Sequence, residues 1–172
     1  MIAIMTDKIN GISQERYDRV ICELQFHQLA CTCGSRGCLE KHGKYTRSLR
    51  ILGAKISIRI QRVRCRTCGR THALLFSIMV PYSQIPLEDQ RCIVEASDTG
   101  AKYDEILDRN CLIDEREISY ILQRYRRHWK ERLFSIGINI WAEDLLEQCS
   151  KHFSRGFMQI KKTPLTIFPE PT

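Results

Sequence analysis

The sequence predicts an α+β chain, a β-rich N-terminal half followed by an all-α C-terminal half. Three observations predict it: two cysteine clusters flank a run of alternating β-branched residues, two prolines follow, and the pattern then turns helical. The expected divisions are an N-terminal segment over 1–30, a β-rich module over 31–80, a helical module over 81–136, and a helix with an extended tail over 137–172.

The first 30 residues admit two readings. Ser13 can cap a short helix with Tyr17, Val20, Ile21 and Leu24 at helical spacing, whereas Val20–Leu24 alone can be a strand. His42–Leu52 and Lys55–Val63 then form two runs of similar length around Gly53-Ala54. In the second, Ile56, Ile58 and Ile60 alternate with Ser57, Arg59 and Gln61, with Val63 a further candidate for the apolar side, so the two runs read as a hairpin with one apolar and one basic face. Pro81 and Pro86 end this region. Helices are expected over Leu87–Ala96 and Ala101–Asp108, separated by Asp98-Thr99-Gly100. A third starts at Asp114, an N-cap whose partner Glu117 lies three residues on. It runs to about Phe134, burying Ile118, Ile121, Leu122, Tyr125, Trp129 and Leu133. Gly137 ends it, and Asn139–Phe153 begins another helix with Trp141, Leu145, Leu146 and Cys149 inward.

Composition narrows the chemistry. No apolar stretch approaches the roughly 18–20 residues of a membrane span, and Met1–Val20 lacks a basic start with a long apolar run. A cytosolic protein without a membrane partner is expected. In a reducing compartment, clustered cysteines are metal ligands or catalytic groups before they are disulfides, and the count of nine is odd. Cys22, Cys92, Cys111 and Cys149 stand singly and read as small core residues. The other five form Cys31-Thr-Cys33-Gly34-Ser-Arg-Gly-Cys38 and Cys65-Arg-Thr-Cys68-Gly69-Arg-Thr-His72.

Thiolates two or three residues apart on a tight turn supply half of a tetrahedral Zn²⁺ site, and a glycine after the second thiol lets the chain fold back. A hairpin between the clusters would bring two such knuckles together, the pattern of a zinc ribbon. Cys65 and Cys68 form one half. The first cluster offers three thiols for two places; Cys31 with Cys33 is preferred because Gly34 then matches Gly69, and Cys38, His42 and His72 are alternates. A redox Cys-x-x-Cys would not need a second cluster and would sit in a βαβ pattern, which is absent.

The net charge is +7, and from Lys41 to Leu87 the chain carries ten basic residues and no acidic one. Lys44, Arg47, Arg59, Arg62 and Arg64 are the expected contacts to a polyanion. Three helices with a short second one and a capped, basic third form a helix-turn-helix pattern. Arg116, Ser119, Tyr120 and Gln123 near its N-terminus would meet base edges in the major groove. Arg124, Arg126, Arg127 and Lys130 would contact phosphates.

The stretches Cys31–Arg47, Arg62–Ala73 and Val80–Gln84 resemble a bacterial family, found mainly in Firmicutes, that looks like the N-terminal part of insertion-sequence transposases. The likeness runs on to Phe157–Lys161 and so covers the chain from about residue 30. It implies a zinc ribbon followed by a helix-turn-helix, and Cys65 and Cys68 carry over as ligands. Cys31-x-Cys33 departs from the family's two-residue knuckle spacing. Strand transfer in such transposases needs three carboxylates on a ribonuclease-H-like domain. The acidic residues here, such as Glu88, Asp89, Glu143 and Asp144, sit on expected helix surfaces instead.

The expectation is therefore a non-catalytic, nucleoid-associated protein that binds double-stranded DNA, as a regulator or a mobile-element remnant. An RNA-binding zinc ribbon and a DNA-targeting subunit with its nuclease on another chain are the alternatives. A homodimer would fit helix-turn-helix usage.

Overall fold

The computed structural model describes residues 2–4, 12–51, 53–109, 113–141 and 148, in two compact units, Met1–Gln84 and Ile85–Thr172. The fold is mixed α+β; among the described residues, the strands all lie in the first unit and four of five α-helices in the second.

In the first unit, β1 (Ile2–Ile4), α1 (Gln14–Glu23), β2 (Leu39–Ile51), β3 (Ala54–Cys65) and β4 (Thr71–Phe76) follow one another, with a 3-10 turn at Phe26–Gln28. The sheet order is β1-β4-β3-β2. The expected hairpin is present: Ile51 pairs with Ala54, and Gly53, at φ 74°, lies in the turn where a left-handed residue is needed. β4 and the parallel β1 had no counterpart in the sequence reading. Within β4, Leu74, Leu75 and Phe76 are consecutive buried apolar residues, without the alternation that marks a strand, because both faces of the strand are covered there.

The N-terminal ambiguity resolves as a helix. Ser13 Oγ accepts from Arg16 N–H at 3.2 Å, and Tyr17 and Ile21 turn inward. α1 also completes the edge of β3. Arg59 N–H donates to Gln14 Oε1 at 2.6 Å. Gln61 N–H donates to the Tyr17 hydroxyl at 2.9 Å, which itself donates to Leu74 O at 2.8 Å. β4 pairs with β3 only over Arg62–Arg64, so Tyr17 replaces the direct ladder bond where the strands diverge.

The hairpin does not keep one apolar and one basic face. Ile58 and Ile60 are buried, and then Gln61, Val63 and Cys65 are, so β3 exchanges its inward face at Ile60/Gln61. The exchange coincides with a bulge in β2 between Lys41 and Lys44. Strand alternation therefore puts Arg62 and Arg64 on the face opposite Lys55 and Arg59.

In the second unit, α2 (Leu87–Asp98), α3 (Tyr103–Arg109), α4 (Glu115–His128) and α5 (Lys130–Ser135) surround a core of Ile93, Val94, Ile106, Ile118, Ile121, Tyr125, Trp129 and Leu133. Asp114 caps α4 through a complete capping box with Glu117. The single helix expected to reach Phe134 is broken at Trp129 (φ −124°), so Lys130 belongs to α5. Gly137, at φ 69°, ends α5, with Ile138 N–H reaching Leu133 O. Of the expected helix at Asn139–Phe153, Ile140 and Trp141 lie in a turn, with Trp141 packed against the core as expected, and Gln148 is helical; its other inward positions Leu145, Leu146 and Cys149, and the tail, lie outside the described residues. Among the described residues, no helix is long and apolar enough to cross a membrane.

Candidate metal centre and basic faces

Two tight turns build the centre. In the first, Gly34 N–H donates to Cys31 O and Cys31 N–H to Ser35 O, both at 2.9 Å. In the second, Gly69 N–H donates to Cys65 O and Cys65 N–H to Arg70 O, also at 2.9 Å. The two closures differ by one residue, which is the difference between Cys-x-Cys and Cys-x-x-Cys. Gly34 and Gly69 sit at φ 89° and 70°, so each turn requires its glycine. Leu39 pairs with Cys65 and Arg66 N–H donates to Cys38 O, tying the knuckles together across the base of the hairpin.

The sulfurs of Cys31, Cys33, Cys65 and Cys68 lie within 4.8 Å of one another. Cys31 Sγ is 3.7 Å from Cys68 Sγ, and Cys33 Sγ is 3.9 Å from Cys65 Sγ. A tetrahedral ion with metal–sulfur bonds of about 2.3 Å separates its sulfurs by about 3.8 Å, whereas a disulfide needs about 2.05 Å. The donor set thus fits a four-thiolate metal site, formed by the preferred set of cysteines.

Each alternate has a different place. Cys38 is buried with its thiol on Ser35 O at 3.3 Å, outside the four-sulfur group. His42 is exposed on β2 and also outside it. His72 is buried, with Nε2 3.2 Å from Cys31 Sγ. Burial above all, with nearby positive charge including Arg70 adding to it, holds its pKa below the usual value, which favours the neutral ring beside Cys31 Sγ.

Electrostatics separate the thiols. Burial opposes ionisation of Cys65, but Cys68 N–H and the neighbouring thiols outweigh it and bring the pKa to about 6. Arg70 N–H favours the Cys68 thiolate, yet burial and the surrounding thiols push that group to about 11. Four clustered thiols cannot all ionise without a cation among them, and a metal supplies that charge.

The basic residues divide into several groups. Across the hairpin, Lys44 pairs with Gln61, Thr46 with Arg59 and Arg50 with Lys55, giving one polar face with Lys44, Lys55 and Arg59 exposed. Arg64 lies on the other face, opposite Glu40, and Arg62 is half-buried beside Gly43. Arg47 does not face outward: its guanidinium donates to Val80 O and, at 2.7 Å, to Ser83 O.

On α4, Arg116, Tyr120, Gln123 and Arg127 are exposed. Ser119 shares a 2.6 Å hydrogen bond with the Tyr103 hydroxyl, Arg126 reaches Ser97 Oγ at 3.4 Å, and Lys130 pairs with Asp98 at 3.5 Å. Arg124, expected on the phosphate-contacting face, is instead buried, 5.9 Å from the centre of the Trp129 ring. Its position one turn after Ile121 and next to Tyr125 places it at the margin of the apolar stripe, where its stem is covered.

Residues 30–113 match the model of a family described as Domain of unknown function (DUF6431). The match spans both knuckles, the hairpin, α2 and α3, and stops at the N-terminal edge of α4. No curated protein and no solved structure matches the chain.

Proposed function

We propose that the protein is a non-catalytic DNA-binding protein in which a zinc ribbon and a helix-turn-helix present separate basic surfaces, as in a transposase-like regulator or mobile-element remnant. The observation that carries this reading is the exposed row of Lys44, Lys55 and Arg59 on a hairpin whose sequence holds no carboxylate from Lys41 to Leu87. A two-stranded ribbon is narrow enough for the major groove, and such a row tracks phosphates without self-pairing. Four thiolates at tetrahedral separation suit Zn²⁺, which folds the knuckles and has no open position for chemistry. Arg116, Gln123 and Arg127 on α4, opened by the Asp114 capping box, support a second contact in the manner of a recognition helix.

The test is binding of the full chain to duplex DNA over a salt series, beside elemental analysis of the purified protein. Retention at low salt, a steep loss of affinity with rising salt, and one zinc per chain are expected. No retention at low salt refutes DNA binding, and preference for structured RNA over duplex DNA would replace it. Iron in place of zinc would overturn the metal assignment, because four thiolates also suit iron.

A further inference from the structure

The polar side chains of α4 fall into two sets. Ser119 shares a hydrogen bond with the Tyr103 hydroxyl, Arg126 reaches Ser97 Oγ, and Arg124 is buried with its guanidinium donating to the Tyr120 hydroxyl. Arg116, Gln123 and Arg127 are exposed, at steps of seven and four residues. At 3.6 residues per turn these three and Tyr120 fall within about 60° of one another around the helix axis. The helix's carboxylates, Glu115 and Glu117, point about 100° to either side of Arg116, and Glu117 is engaged in the capping box with Asp114. The outward stripe of α4 is therefore cationic at both ends and carries no acid.

Gln123 decides what the stripe is suited to. Phosphate binding gains from charge, and a neutral amide between two arginines adds little to it. An amide that donates and accepts side by side instead matches N6 and N7 of adenine, as a guanidinium matches O6 and N7 of guanine. From Arg116 to Gln123 the helix rises about 10.5 Å, at about 1.5 Å per residue. Base pairs stack about 3.4 Å apart, so a helix following the groove brings these two side chains to base pairs about three steps apart. Between them the Tyr120 ring is 49% exposed, with its hydroxyl held by Arg124.

We propose that Arg116 and Gln123 are specificity-determining residues, reading a guanine and an adenine about three base-pair steps apart in the major groove, with Arg127 on a phosphate. This rests on the DNA-binding reading above. The test is selection of bound sequences from a random duplex library by the full chain and by Arg116→Ala, Gln123→Ala and Arg127→Ala. Affinities are then measured for the selected duplex and for a scrambled one. Wild type should enrich a motif that holds guanine and adenine at that spacing. Arg116→Ala should lose the preference at the guanine alone, and Gln123→Ala at the adenine alone. Each should weaken the selected duplex by about 5- to 150-fold, the worth of one bidentate contact, and change the scrambled duplex little. Arg127→Ala should weaken both duplexes alike and lower the salt slope by about 0.9. All three positions are exposed, so the variants should melt with wild type. Retention of duplex with no enriched motif, or a motif that Arg116→Ala and Gln123→Ala leave intact, overturns the inference and leaves the DNA-binding reading standing. Failure to retain any duplex overturns both.

Discussion

Removing one hydroxyl, by Tyr17→Phe, tests how α1 is joined to the sheet. That hydroxyl accepts from Gln61 N–H at 2.9 Å and donates to Leu74 O at 2.8 Å, and the residue is 0% exposed. Phenylalanine keeps the ring, which packs 5.2 Å from the ring of Phe76, so the apolar burial is conserved. What is lost is the partner of two buried backbone groups, each worth about 1–3 kcal/mol when left unsatisfied. The sum is about 2–6 kcal/mol, a large fraction of the roughly 5–15 kcal/mol that holds a domain folded. Urea unfolding followed by circular dichroism should show the midpoint falling by about 1 M or more, given slopes of about 1–3 kcal/mol per molar. Metal content should be unchanged, since the knuckles do not involve Tyr17. A loss below about 0.5 kcal/mol, within the range of ordinary surface substitutions, would refute the bridge and mean that the strands satisfy these groups themselves.

Three further outcomes follow from the same geometry. Cys33→Ser should lose the bound metal and Cys38→Ser retain it, measured by elemental analysis and by the number of thiols that become reactive on chelation; the reverse result would exchange their roles. Replacing Lys44 and Arg59 together by alanine should reduce the slope of log affinity against log salt by about 1.8, two phosphate contacts at about 0.9 each, whereas Arg124→Ala should lower the melting temperature and leave the slope alone. Burial holds the hydroxyls of Tyr17 and Tyr125 at about 12 against an ordinary 10.0. A raised folded-state value means that their contribution is complete below pH 10 and is lost as pH rises toward 12, so alkaline unfolding should set in over that interval and be milder in Tyr17→Phe.

The helices of the second unit were legible because their signals are local. An apolar stripe at three- and four-residue steps, Asp114 with Glu117, and Gly137 act within one or two turns, and each forms as read. The break at Trp129 was not legible, since the stripe continues through Trp129 to Leu133 and a change of helix axis leaves no mark in periodicity. The four-cysteine set was also legible, because glycine after the second thiol marks a turn that needs φ > 0 and a hairpin between two such turns must bring them together.

What only the tertiary structure decided is which side of the hairpin is covered and which arginines are available. The period of two already sets Arg62 and Arg64 opposite Lys55 and Arg59; what the fold decided is which of those faces is covered, and with the bulge at Lys41/Lys44 and α1 over the edge of β3 burial changes sides past Ile60. Arg47 and Arg124 read as cationic surface residues in one dimension. In three, one is fixed by the carbonyls of Val80 and Ser83 and the other is buried beside Trp129. Charge and spacing are properties of the chain, whereas exposure depends on what distant segments cover. The thiol cluster is therefore readable from the sequence, and the basic surface beside it is readable only from the fold.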